Sequence, residues 1–102
     1  GVALAEAMYC GTPAVTFTIP GSGVNWVSLN GETGIEVPNG DDKAYAEAID
    51  NLINDKELNS KYGAAGHKRV VDNFTIPKMV EAQEKYYKEL CDMKVFITKR
   101  GG

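Results

Sequence analysis

The first seventeen residues, GVALAEAMYCGTPAVTF, constrain the fold more than any other part of the chain. Ala3 to Cys10 is a run of strong helix formers, and Gly11 stands where a left-handed residue ends a helix. Pro13 follows two positions on. Ala14, Val15, Thr16 and Phe17 then make a β-branched and aromatic run suited to a buried parallel strand. Helix, glycine stop and buried strand in direct succession point to an α/β fold. Glu6 is the one acid in this otherwise apolar helix, and it calls for a reason.

Further along, Pro20, Gly21 and Gly23 break the strand, and VNWVSLNGETG is irregular, with one helical turn around Trp26 and a turn at Asn30-Gly31. GIEV is a second short strand, stopped by Pro38. Asp41 and Asp42 are placed to cap a helix in which Tyr45, Ala48, Ile49, Leu52 and Ile53 recur at helical spacing. A longer helix from Lys56 to Phe74 carries Leu58, Tyr62, Ala65 and Phe74 near one face, with Val70 and Val71 alongside. Gly63 and Gly66 each cost this helix about 1 kcal/mol relative to alanine, unless a neighbouring helix packs closely there. Thr75 can cap a last helix, Pro77 to Leu90, with Met79, Val80, Tyr86, Tyr87, Leu90 and Cys91 as its apolar stripe. The expected order is α-β-loop-β-α-α-α, short parallel strands with helices around them. Residues 93–102 form a tail that is either frayed or an edge strand at Val95, Phe96 and Ile97.

Composition narrows the function classes. A chain of 102 residues makes one domain, and 43% hydrophobic with 25% charged residues excludes a disordered segment. A net charge of -3 with the acids and bases mixed gives no footprint for nucleic acid and no basic face for a membrane surface. No apolar run approaches the ~18 residues of a membrane span, and no secretory leader is expected. Cys10 and Cys91 form no CxxC and share one histidine, so no zinc site or redox motif is expected. The expectation is two reduced thiols in a cytoplasmic protein.

Glu6 is the first candidate functional residue. A mid-helix glutamate is most often a solvated face residue. Here, however, Gly1 would open the helix, where free N–H groups and the positive end of the dipole suit a phosphate. A carboxylate between one and two turns further in can accept hydrogen bonds from a ribose diol. IPGSGVNW is the second candidate, a strand followed by Gly-x-Gly. Trp26 occupies the third glycine position of a dinucleotide fingerprint and would block the close packing glycine permits there. Gly21, Ser22 and Gly23 therefore form either a simple turn or a loop bordering a cleft at the carboxyl end of the strand. Trp26 is expected as a core or interface residue, His67 as a surface histidine, and Asp41 and Asp42 as caps.

Taken in order, GVALAEAMYCGTPAVTF, NGETGIEVPNGD, AEAIDNLINDKEL and YGAAGHKRVVDNFT resemble the end of a bacterial family four glycosyltransferase. The resemblance runs from Gly1 to about Leu90, and its most specific parts are the G…EAM.CGTPAV and G.TG..VP.GD blocks. Such enzymes have the GT-B fold, two Rossmann-like domains with the active site in the cleft between them. The resemblance implies that Glu6 is the second of two glutamates separated by seven residues and holds the donor ribose. The backbone of Gly1, Val2 and Ala3 would face the donor diphosphate and sugar. The first glutamate would fall three residues before Gly1, so the chain is expected to be part of a longer enzyme. Residues 1–92 would then be the C-terminal portion of the nucleotide-sugar-binding domain. The loop IPGSGVNWVSLNG departs from the commoner Gly-Gly pair and short Pro-Glu-Val-Val-type helix, which suggests a subgroup from surface polysaccharide assembly.

The implied reaction is retaining transfer of a glycosyl unit from a UDP- or GDP-sugar to a glycan or lipid-linked acceptor, with no metal and no cofactor. The acceptor would be reached through a second domain, with the enzyme at the inner membrane face. The isolated chain is expected to be inactive and, with strand edges and apolar helix faces uncovered, marginally stable or self-associating. Two rival readings are a helical interaction module in which Glu6 is incidental, and a fragment of a dinucleotide-dependent oxidoreductase, which Trp26 disfavours.

Overall fold

The computed structural model describes residues 2–74, 88–89 and 91–97. Its elements are α1 (Val2–Tyr9), β1 (Ala14–Thr18), α2 (Val24–Val27), β2 (Gly34–Pro38), α3 (Asp42–Asn54), α4 (Lys56–Asn73) and β3 (Phe96–Ile97). The helix expected from Pro77 to Leu90 lies outside the described residues except at 88 and 89.

α1 ends as its sequence requires. Gly11 takes φ 83°, its N–H donates to the Met8 carbonyl at 2.9 Å, and the Thr12 N–H donates to the Ala7 carbonyl at 3.0 Å. This paired closure satisfies two carbonyls that the helix would otherwise leave orphaned. Pro13 then directs the chain into β1.

β1 is the centre of a three-stranded parallel sheet of order β2-β1-β3. Ala14 to Thr18 pair in register with Gly34 to Pro38 on one side, and Ala14 and Val15 pair with Phe96 and Ile97 on the other. The two strands expected from the interior are thus joined by a third from the tail. Residues 14–17 are all buried, which accounts for the unbroken apolar run.

Two apolar clusters are built on this strand. One joins Leu4, Ala5, Ala7 and Met8 of α1 to Ala14, Val70 and Phe96. The other joins Val15, Phe17 and Val37 to Ala48 and Leu52 of α3 and to Val95, with Phe17 stacked on Tyr45 at 4.3 Å. Val95 and Phe96 therefore feed different clusters, as alternating residues of an extended segment do.

Asp41 caps α3 by accepting from the Ala44 N–H at 3.0 Å, and Asp55 caps α4 by accepting from the Leu58 N–H at 3.0 Å. The expected apolar faces hold with two exceptions: Ile53 and Val71 are exposed. Gly63 and Gly66 are buried, and α1 is the neighbour that packs there.

Cys10 and Cys91, expected as reduced thiols, instead form a disulfide spanning 81 residues of sequence, with their Cα atoms 4.9 Å apart. The cause is topological. β3 pairs with the first two residues of β1, so the segment leading into it arrives beside the end of α1. The disulfide removes one of the two grounds for a cytoplasmic location. Among the described residues, no helix is long and apolar enough to cross a membrane.

Candidate functional site

The link from α1 to β1 is only four residues long, Cys10 to Pro13, so α1 runs back along β1. Its first turn lies toward the carboxyl end of the strand, the edge at which open α/β sheets bind ligands. α2, which follows that edge, packs Val24 and Val27 on the cluster that contains Leu4 and Met8. The start of α1 and the 19–23 loop thus belong to one end of the sheet. Gly1 lies outside the described residues, and Val2 and Ala3 open the helix.

Glu6 is 2% exposed, and its Oε2 has no hydrogen-bond partner among the described residues. The solvated-face reading of this glutamate is therefore overturned. α1 is enclosed by the sheet, α2 and α4, so a carboxylate on it is enclosed too. A buried carboxylate oxygen without a donor is costly and stands out in a folded protein. It is an acceptor in want of hydroxyl or N–H donors.

The loop after β1 is a built structure. Pro20 and Gly21 form a turn in which Gly21 takes φ 79° and the Ser22 N–H donates to the Ile19 carbonyl at 3.0 Å. The Ser22 hydroxyl accepts from the Val24 N–H at 3.2 Å, at the start of α2. Asn25 ties down the end of β1 where the turn begins: its Nδ2 donates to the Phe17 carbonyl and its Oδ1 accepts from the Ile19 N–H, each at 2.9 Å. On that side the described residues of β3 pair with Ala14 and Val15, and the Asn25 amide bonds the backbone of β1 further along, at Phe17 and Ile19. Sequence reasoning passed over Asn25. The only available signal was an amide side chain one residue after a Gly-x-Gly-Val break.

Trp26 is 63% exposed and does not enter the core. Its indole meets Phe74 edge to face at 5.6 Å, and the Arg69 guanidinium lies 5.7 Å from its ring. Arg69 also donates to the Trp26 and Val27 carbonyls at 2.6 and 2.8 Å, closing the end of α2. His67 is exposed, as expected, and its Nδ1 lies 2.6 Å from the Tyr9 carbonyl at the end of α1, far from the first turn. Asp41 is a cap and Asp42 opens α3. Among the described residues no group of three His, Cys, Asp or Glu side chains could hold a metal ion.

Comparison with known proteins gives this arrangement a family. Residues 1–69 match the model for glycosyl transferases group 1. The chain is 40% identical over 82 residues to the capsular polysaccharide biosynthesis glycosyltransferase CapM of Staphylococcus aureus, covering 80% of this chain and 21% of that protein. It is 28% identical over 94 residues to the O-antigen chain mannosyltransferase C of Escherichia coli, covering 92% of this chain and 25% of that protein. It is 33% identical over 95 residues to the N-acetyl-alpha-D-glucosaminyl L-malate synthase of Bacillus anthracis, covering 92% and 24%. The chain thus spans between 21% and 25% of the length of these relatives. No solved structure matches it significantly. With two thirds of its residues under the family model, this chain belongs to the group 1 glycosyl transferases.

Proposed function

We propose that this chain is the donor-binding part of a glycosyltransferase of GT-B architecture, one that moves a glycosyl unit from a nucleoside diphosphate sugar to a glycan or lipid-linked acceptor. Residues 1–92 are the C-terminal portion of its nucleotide-sugar-binding domain. The observation that carries the reading is the buried Glu6 carboxylate with its unpartnered Oε2. A ribose diol offers two hydroxyl donors at the spacing of a carboxylate, and each such bond to a charged acceptor contributes about 1.5–3 kcal/mol. The family membership and the capsular polysaccharide and O-antigen relatives support surface polysaccharide or glycolipid synthesis as the setting.

The chemistry asks for stabilisation of negative charge on the leaving diphosphate as the glycosidic bond breaks. The backbone N–H groups of Val2 and Ala3, at the positive end of α1, supply part of it, and Gly1, which lies outside the described residues, is assigned the same role. Glu6 fixes the nucleoside so that the charge develops beside those amides. Gly21, Ser22 and Gly23 border the cleft, in a loop held by Asn25. Transfer proceeds with retention of anomeric configuration. A hexose is the unit moved, and the remaining charge neutralisation comes from residues outside this chain, which is inactive alone.

The test is a heteronuclear NMR titration of this chain with UDP and with GDP, for the natural sequence and for Glu6→Ala. Shifts should cluster at residues 2–6 and 21–23, and Glu6→Ala should weaken binding by about tenfold or more, the cost of one charged hydrogen bond. Equal binding by the two proteins would remove Glu6 from the site. Shifts clustered elsewhere would move the site.

A further inference from the structure

We propose that the Cys10–Cys91 disulfide is a redox-sensitive clamp that holds the closing strand β3 on the sheet, so that reduction releases β3 while the rest of the fold stays in place. Among the described residues, few contacts hold the segment from Cys91 to Ile97. Its described ladder with β1 joins two residues, Phe96 and Ile97, to Ala14 and Val15. The Phe96 N–H donates to the Pro13 carbonyl at 2.9 Å, and Asn59 Nδ2 donates to the Lys94 carbonyl at 2.9 Å. The Thr12 hydroxyl reaches the Met93 carbonyl at a long 3.4 Å. Met93 and Ile97 are exposed, leaving Val95 and Phe96 as the buried anchors. The disulfide supplies what these lack: it holds Cys91 beside Cys10 at a Cα separation of 4.9 Å and so keeps the short strand at high effective concentration next to β1.

α1, which carries the other sulfur, does not depend on the clamp. It is seated on Gly63 and Gly66 of α4, closed by Gly11, and tied to His67 through the Tyr9 carbonyl. Opening the clamp therefore separates a weakly held segment from a firmly held one. Both cysteines are half-buried. A thiolate of a small dithiol attacks one sulfur, breaking the protein S–S bond and forming a mixed disulfide. The second thiolate of the reagent then displaces that sulfur. The protein gains two electrons and two protons as two thiols, and the reagent leaves as its own disulfide. The outcome is an unpaired β1 edge at Ala14 and Val15, with the start of α1 and the 19–23 loop undisturbed.

The test is isotope-edited NMR on this chain, oxidised and after addition of dithiothreitol. In the oxidised chain, backbone contacts should join Ala14 to Phe96 and Val15 to Ile97. Reduction should abolish both, while the Ala14–Gly34 and Val15–Ile35 contacts persist, and reoxidation should restore the lost pair. Cys91→Ser should show the open pattern without reductant and no further change with it. Persistence of the Ala14–Phe96 contact in the reduced chain would overturn the proposal. So would loss of the β1–β2 contacts together with it, since the disulfide would then be a staple for the whole fold.

Discussion

Gly63 of α4 lies against the carbonyl oxygen of Gly11, so the backbones of α4 and α1 meet where α1 ends. A Cβ on Gly63 would overlap that oxygen. One on Gly66 would rest on Met8 and Thr33 at 3.6–3.7 Å, ordinary contact. Alanine adds about 1 kcal/mol of helix propensity at either position. Gly66→Ala should therefore be neutral or stabilising, by up to ~1 kcal/mol, whereas Gly63→Ala should lose about 1–3 kcal/mol through overpacking. Urea unfolding of the two variants separates them. Equal effects would mean that the two helices do not meet at Gly11.

Asp55 ends one helix and begins the next. Its N–H donates to the Asn51 carbonyl at 2.9 Å, while its carboxylate accepts from the Leu58 N–H. Asp55→Ala should cost about 1 kcal/mol, as should Asp41→Ala at the start of α3, while Asp55→Asn should keep most of the stability. The two caps share no partner, so the double alanine variant should sum within about 0.5 kcal/mol in the same unfolding assay.

These caps were legible because capping is local: an aspartate before an amphipathic run is sufficient, and Gly11 with Pro13 marks the end of α1 in the same way. β3 was harder to see. Two residues carry no periodicity, and Phe96 and Ile97 form a strand because β1, some eighty residues earlier, offers them an edge. The burial of Glu6 and the Cys10–Cys91 bond are likewise settled by partners far along the chain. Helix α1 alone cannot reveal that α4 and the tail will enclose it. Trp26, expected in the core or at an interface, stays out of the core for the opposite reason, since its neighbours Arg69 and Phe74 hold it at the surface. For the candidate site, the glutamate and the glycine loop were visible as residue types at telling places. The Asn25 bridge depends on how the loop folds back and was not.

Glu6 should lower the stability of the empty protein. Its carboxylate is buried, with Oε2 unpartnered among the described residues, inside a helix otherwise suited to an apolar side chain. Glu6→Met, close in length and free of charge, should raise stability by about 1–3 kcal/mol, the cost of leaving a buried polar group unsatisfied. The same variant should lose the nucleotide-induced shifts, as expected where a site gives up stability for binding. Thermal unfolding without ligand reads the first effect. A destabilised Glu6→Met would mean that the carboxylate finds a donor within the folded chain.

Asn25 holds the end of β1 through two backbone groups at once, and its replacement should be felt at both. Asn25→Ala leaves the Ile19 N–H and the Phe17 carbonyl without their partners, at a cost of about 1–3 kcal/mol if water does not replace them. The more telling variant is Asn25→Asp, which still accepts from Ile19 but places a negative oxygen against the Phe17 carbonyl. It should be at least as destabilising as alanine despite its similar shape. Hydrogen exchange locates the change. The Ile19 amide should exchange faster in Asn25→Ala and stay protected in Asn25→Asp, while the amides of α3 keep their protection relative to one another in both. If the Ile19 amide is equally protected in the alanine variant, the turn at Pro20 and Gly21 holds itself, and Asn25 does not position the 21–23 loop.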